Sequence, residues 1–478
     1  VSSPAVDLTQ AALARFALGV PAGCSEALQN EVRHVLIDSF AVALGALRHP
    51  AAIAGRRYGR NSQVPWGARI WGTGEVVSPE TAALVNGVPL RGYDFNDVYI
   101  GTGCGGHPSD IVPGLVALAE TRHCSGQKML DALVVGYEVI ITMMDVIRLG
   151  ASGWDYPNIC AIGMTCAAAR LLDLDESQTR EALAIAVVPH FASLEIESGE
   201  LNAAGDLTMW KRFNGSDAIR HAIYACLLAQ ANVEGAVRPF EGNFGFLAKT
   251  ATHAEQRVAL LDQLHPSKPL NAICRTMFKR WPVGSRGQSA IQAALEVRGQ
   301  LGDPAAIREV RVFTGQDVHE HLVLKRSAPW APTSRETADH SLPYIVAVSL
   351  LDGRVGVESF SPERVMQLRE NGLLDKMSVI PDERLDGKAT GFTSRVELTD
   401  LEGRVFTSVV KPQPGHRLAP LTDEEFEEKF VDSVTPLFGA ERAAELISSI
   451  AMLSRMEDVG CFTEKLVAPH PLMDVVSQ

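Results

Sequence analysis

Residues 31–47 read EVRHVLIDSFAVALGAL, and the apolar residues Val32, Val35, Leu36 and Phe40 return at the three- and four-residue spacing of one helix face. The same pattern runs on through the first half of the chain. It predicts further helices over 79–90, 111–121, 129–149, 159–172, 176–188 and 217–231. Small residues such as Ala167-Ala168-Ala169 allow neighbouring helices to approach closely. No G-x-G-x-x-G follows a predicted strand and no G-x-x-x-x-G-K-[ST] occurs, which leaves a nucleotide-binding α/β domain without support. From residue 1 to 274 the expectation is an all-helical domain.

Beyond residue 274 the texture changes. Residues 307–313 alternate around Val310 and Val312, and 377–380 form a second short strand candidate. Residues 394–398 and 404–410 alternate on either side of Asp400-Leu401-Glu402-Gly403, a hairpin signal, while 343–351 read as helix. A smaller α+β domain is therefore expected over 275–412. After Pro412-Gln413-Pro414-Gly415, Thr422 and Glu425 make a capping box that starts another helix, and the last sixty or so residues are helical. The chain is thus expected to be mainly α with an α+β part. The large helical domain would comprise 1–274 and 413–478, with 275–412 inserted as a lid.

The 478 residues are 46% hydrophobic and 21% charged, enough for a sizeable core, which excludes a wholly disordered chain or a small stapled scaffold. A net charge of −13 argues against non-specific binding to nucleic acid or an anionic membrane, although clustered cations can reverse the field inside one cleft. The cysteines at 24, 104, 124, 160, 166, 226, 274 and 461 contain no C-x-x-C pair. They read as free thiols of a reducing cytosol. The most apolar stretch, 132–144, is interrupted by Glu138 and is too short to span a bilayer. No basic region followed by an apolar run is seen near residue 1, so the expectation is a soluble, cytoplasmic protein.

Three passages carry candidate chemistry. Asp94-Phe95-Asn96-Asp97-Val98-Tyr99 and Gly106-His107-Pro108-Ser109-Asp110 flank a loop containing Gly101, Gly103 and Gly105. Glycine permits close backbone approach, and histidine suits proton transfer near neutrality. Equally, Asp94 and Asp97 would serve as helix caps, with His107 a turn residue before Pro108. Lys211 and Arg212, with Asn214, are expected just before a helix N-terminus, where cations and open N–H groups receive a carboxylate; a solvated surface pair is the other reading. Lys279-Arg280-Trp281-Pro282-Val283-Gly284-Ser285-Arg286-Gly287-Gln288-Ser289 offers three cations for a dianion, or a basic linker between domains.

Together these passages resemble the MmgE/PrpD family, which includes 2-methylcitrate dehydratase, cis-aconitate decarboxylase and iminodisuccinate epimerase. The two halves of the Asp94 to Asp110 passage are similar to its signature, in a form nearer the dehydratases. Trp210-Lys211, Pro239-Phe240-Glu241-Gly242-Asn243-Phe244-Gly245, Arg335-Glu336-Thr337-Ala338-Asp339-His340-Ser341-Leu342-Pro343-Tyr344 and the run from Gly415-His416 to Leu421-Thr422 match later blocks in order. The resemblance implies a homodimer of helical domain plus lid, a site in the cleft between them, and neither metal nor organic cofactor. Asp94, His107, Lys211, Lys279 and Tyr344 fall on the family's active-site positions. Two departures stand out. Val98-Tyr99 replaces the usual threonine-containing pair, and Gly284-Ser285-Arg286 replaces a Glu-aromatic-His segment. A second site histidine is therefore expected to be missing, with an arginine in its place.

The resemblance also implies substrates that are small di- or tricarboxylates with a C–H beside a carboxylate. Removing that proton requires a base and stabilisation of an enediolate. In this reading His107 is the base or acid and Asp94 orients its ring. Lys211, Lys279 and Arg286 supply positive field, Tyr344 donates to a leaving hydroxyl, and Gln288 and Asp97 complete the substrate contacts. The expected reaction is cofactor-independent elimination of water. The alternatives are epimerisation, decarboxylation, or a catalytically silent dimer that binds an anion.

Overall fold

The computed structural model describes residues 6–21, 23, 26–197, 202, 207–326, 328–387 and 391–472. Its first half is a succession of helices: α1 (Leu8–Gly19), α2 (Glu26–Gly45), α3 (Pro50–Gly59), α4 (Pro79–Leu90), α5 (Ile111–Thr121), α6 (Gly126–Val146), α7 (Pro157–Leu171), α8 (Glu176–Val187) and α9 (Trp210–Gln230). Side chains close several N-termini. Asp7 accepts from Gln10 N, Ser78 from Thr81 N and Ser125 from Lys128 N, while Asp175 and Gln178 form a capping box. Small residues set the close crossing of α6 and α7. A methyl group at Gly163 would fall 2.3 Å from Ile140 Cγ1, and one at Gly136 would fall 2.5 Å from Ile111 Cδ1.

Apolar side chains gather in two large clusters and a small one around Ile70, Val77 and Val85. The first joins α1 to α9 with Phe426, Phe430, Val434 and Leu446 from α14 (Asp423–Phe438) and α15 (Ala440–Ala451), so the C-terminal helices pack on the N-terminal ones. The Thr422–Glu425 capping box starts α14. The second cluster includes Val283, Val310, Ile345 and Val396. It lies between α11 (Gln288–Gln300), α12 (Leu342–Asp352) and a four-stranded sheet; α10 (Ala254–Gln263) and α13 (Pro362–Glu370) complete the main helices. The strands are β5 (Ile307–Thr314), β6 (Met377–Pro381), β7 (Ser394–Asp400) and β8 (Val405–Val410), in the order β6-β5-β7-β8. β5 runs parallel to β6, with Val312 opposite Val379, and antiparallel to β7, with Val312 opposite Val396. Burial alternates along β7, so one face covers the core. The molecule is mainly α with a minor β part.

Three local features depart from the sequence reading. The helical half also holds two hairpins, β1 (Gln63–Arg69) with β2 (Val76–Val77) and β3 (Tyr99–Ile100) with β4 (Gly105–Gly106). The glycines of the second hairpin serve packing as much as any ligand. Side chains at Gly101 and Gly103 would fall 2.5 Å from the Met144 and Ile147 carbonyl oxygens at the end of α6. Finally, α9 begins at Trp210, so Lys211, Arg212 and Asn214 lie inside its first turns rather than before it. Met209 gives no side-chain cap there, which is why no start signal was legible.

Among the described residues no single helix is long and apolar enough to cross a membrane. Cys104, Cys124, Cys160, Cys166, Cys226, Cys274 and Cys461 are free thiols, and Cys24 lies outside the described residues.

Candidate active site

Between the two apolar clusters opens a cavity of about 1060 Å3, whose wall includes Asp94, His107, Lys211, Lys279 and Arg286. These side chains come from three distant stretches. The 94–98 loop is pinned to the 277–279 segment by reciprocal Val98–Met277 backbone hydrogen bonds of 2.8 and 2.9 Å. Phe278 belongs to the helical cluster and Trp281 to the other, which places Lys279 at the seam.

Lys279 is buried and donates to Asp94 Oδ1 at 3.0 Å and to the Asp94 carbonyl at 2.7 Å. Asp94 itself sits at φ 49°, a left-handed conformation that aspartate tolerates better than most residues. Burial alone would raise its pKa, but Lys279 and Arg91 hold the carboxyl well below the usual range. Asp94 is thus an ion-pair partner rather than the orienter of His107. That role falls to the backbone: His107 Nδ1 lies 2.5 Å from the Asp97 carbonyl oxygen. A carbonyl only accepts, so Nδ1 carries the proton and Nε2 keeps its lone pair. Burial, then Arg91 and Lys279, push the His107 pKa well below its ordinary value. A neutral ring with a bare Nε2 at the cavity wall is the form of a general base.

Asp97 does not reach the cavity. Its Oδ1 accepts from Ser109 N at 3.2 Å and Ser109 Oγ at 2.5 Å, and its Oδ2 from Tyr137 at 2.9 Å. Burial, together with the nearby Asp38 charge, raises it to about 7. It shapes the loop that carries His107. Gln288 is likewise structural: its side-chain oxygen accepts from Arg280 N and Trp281 N, and its amide donates to the Trp281 and Val283 carbonyls. Tyr344 is buried in the second cluster and donates to the Ser359 carbonyl at 2.7 Å, which removes it as a proton donor to substrate. Of the three cations in 279–286, Arg280 turns away to Glu425. Arg286 stays at the wall, with Nε 2.7 Å from Asp317 Oδ2 and its guanidinium over Phe392.

The wall holds groups that were not singled out from sequence. Arg91 donates to Asn96 Oδ1 at 2.6 Å and stands 3.6 Å from Asp94 Oδ1. Asp155 accepts from Asn214 at 2.9 Å. Arg275 pairs with Asp145 at 2.6 Å at the cavity's edge. Arg212 lies behind the wall, donating to the Arg91 carbonyl at 3.0 Å and pairing with Glu336, which ties α9 to the 335–338 segment. Arg286 does stand at the wall in the 284–286 segment, and a histidine from another stretch of the chain joins it there. His340 lies on the wall, 3.7 Å through Nε2 from Asp94 Oδ2, and His321 and His416 line it further out. The adjacent Asp339-His340 pair was the available signal, since a carboxylate next to an imidazole is a ready orienting partner. Among the described residues no group of three or more His, Cys, Asp or Glu side chains is placed to hold a metal ion.

Comparison with known proteins places this geometry. Residues 11–259 match the MmgE/PrpD N-terminal domain and residues 281–454 the MmgE/PrpD C-terminal domain. The second match runs on into α14 and α15, whose apolar faces pack with the first cluster. The chain is 29% identical to cis-aconitate decarboxylase of Homo sapiens over 429 residues, covering 84% of this chain and 82% of the relative. It is 24% identical to 2-methylcitrate dehydratase of Cupriavidus necator over 423 residues, 81% and 82% of the two chains. Identity to 2-methylcitrate dehydratase of Escherichia coli is also 24%, over 418 residues, with 82% and 83% covered.

Proposed function

Because the chain belongs to the MmgE/PrpD family, we propose that it is a carbon–oxygen lyase that eliminates water from a small tricarboxylate of the 2-methylcitrate type. One observation carries this reading: a neutral imidazole, proton fixed on Nδ1 and Nε2 bare, shares a cavity with two lysines and five arginines. Carboxylates of the substrate meet Lys211, Lys279 and Arg286, with Arg91 behind Asp94. His107 Nε2 takes the proton beside one carboxylate, and the resulting enediolate is held by the lysine ammonium groups. In a cavity poor in water those charges act more strongly than in bulk solvent. Collapse of the enediolate breaks the C–O bond on the neighbouring carbon, the departing hydroxyl takes up a proton and leaves as water, and an alkene conjugated to the carboxylates remains.

The test is a panel of 2-methylcitrate, citrate and simpler hydroxy diacids, followed by the ultraviolet absorbance of the new alkene. Signal with the wild type and none with folded His107→Ala supports the reading. Binding without turnover or exchange identifies an anion-binding homologue instead. Exchange of the substrate proton for solvent deuterium with no net product identifies an epimerase. A second reading is favoured by the higher identity, 28–29%, to relatives named cis-aconitate decarboxylase. Release of carbon dioxide from cis-aconitate would select it.

We also propose a homodimer, supported by the family resemblance and by exposed Val188 and Phe191 after α8 and Trp210 and Tyr224 on α9. Light scattering at the mass of one chain would overturn that. A cytoplasmic location is proposed from the free thiols.

A further inference from the structure

His340 lines the cavity, and the mechanism above gives it no part. It precedes α12, with Ser341 capping that helix, so its backbone position is fixed by the lid. Its Nδ1 lies 2.5 Å from Asp339 Oδ1, a carboxylate with no exposure to solvent. Its Nε2 lies 3.7 Å from Asp94 Oδ2. A carboxylate oxygen accepts, so Nδ1 carries a proton toward Asp339, while Nε2 faces the Asp94 carboxylate from beyond hydrogen-bond reach and stays free to hand a proton to a substrate oxygen placed between them. His107 differs: its Nδ1 meets a neutral carbonyl, and no described residue hydrogen-bonds its Nε2. The space beside His340 is open, because residue 284 is glycine. A methyl group there would sit 3.8 Å from His340 Nε2 and 3.7 Å from Asp94 Oδ2, ordinary contact distances that leave room for a substrate atom.

We propose that His340 is a second catalytic residue, the general acid that protonates the leaving hydroxyl, with Asp339 as its positioning partner. The inference rests on the elimination reading. His107 Nε2 takes the carbon-bound proton, and the C–H electron pair passes into the enediolate. That pair then forms the C=C bond as the C–O bond breaks, and the departing oxygen takes the proton from His340 Nε2 and leaves as water. His340 ends neutral with its remaining proton on Nδ1, directed at Asp339, His107 ends protonated, and exchange with solvent resets both. Two imidazoles on one wall thus divide the work, one arranged to accept and one to donate.

The experiment uses 2-methylcitrate and its analogue with fluorine in place of the tertiary hydroxyl, because fluoride leaves without a proton. His340→Gln is expected to slow water elimination by about 10²–10⁴-fold, the usual worth of a positioned acid, while fluoride elimination stays within about threefold of wild type. Solvent deuterium should still enter the substrate in His340→Gln and be lost in His107→Gln. Asp339→Asn should show the same selective loss of water elimination, since it disturbs the ring's proton placement with little change in shape. Thermal melting checks that each variant is folded. If folded His340→Gln eliminates water at the wild-type rate, or loses fluoride elimination and exchange in equal measure, the assignment is wrong. If wild type neither eliminates nor exchanges with either compound, the elimination reading fails and takes this inference with it.

Discussion

Lys429 offers a sharp perturbation, because one buried ammonium connects the C-terminal helix to both halves of the site. From α14 its Nζ donates to Asp38 Oδ1 at 2.5 Å, to the Phe95 carbonyl at 2.8 Å and to the Lys279 carbonyl at 2.8 Å, and it stands 3.8 Å from the centre of the Phe95 ring. Phe95 follows Asp94, and Lys279 is the other partner of that ion pair. Lys429→Met keeps most of the stem but leaves a buried carboxylate and two carbonyls without their donor. Removing one partner of a buried pair costs about 3–5 kcal/mol. Adding Asp38→Asn removes the stranded charge and should recover part of that loss, giving a coupling of at least about 1 kcal/mol in the double-mutant cycle. Turnover should fall as well, since a shift of about 1 Å in reacting groups can cost 10²-fold. Urea unfolding followed by tryptophan fluorescence, alongside steady-state rates on 2-methylcitrate, reads both effects. An unchanged unfolding midpoint together with unchanged turnover would refute the claim that this ammonium holds the site together.

Three other outcomes follow from the same structure. Asp97, raised from 3.8 to about 7 by burial, favours its protonated form when folded. Its contribution is therefore fully present below pH 4 and is lost as pH rises through 7, by up to roughly 4 kcal/mol. Asp97→Asn should flatten that decline, and urea midpoints at pH 5 and pH 8 that differ as much as in wild type would contradict this. Arg286→Gln should mainly raise KM by weakening carboxylate binding; lower kcat at unchanged KM would argue against a binding role. Gly136→Ala places a methyl group 2.5 Å from Ile111 Cδ1 and 3.2 Å from Ala167 Cβ, so thermal unfolding should report a loss of about 1–3 kcal/mol.

The helices were legible because each buries one face, and that burial writes a period into the sequence. Pro79–Leu90 and Ile111–Thr121 begin and end where the pattern does. Strands of the four-stranded sheet were legible for the same reason at period two. What periodicity does not write is which wall a polar group faces. Tyr344 sits among Leu342, Ile345, Val346 and Ala347, all buried, so nothing in the pattern distinguishes a cavity-facing tyrosine from a core one. Lys429 follows Glu427 and Glu428 and reads as solvent-facing, yet it is buried against Asp38 from nearly four hundred residues away. His340 was hidden differently, since its Asp94 neighbour is brought to it only by the fold. That His107, Lys211 and Lys279 meet at one cavity was expected from the family resemblance, since by residue type and spacing alone a turn, a solvated pair or a basic linker fitted each as well.

The most direct measurement is proton exchange at carbon. Incubating the protein with 2-methylcitrate in D2O and following the substrate by NMR reports on the base step alone. Deuterium should enter beside the carboxylate with wild type and not with folded His107→Gln. Exchange that survives intact in His107→Gln would contradict the assignment of that imidazole as the base.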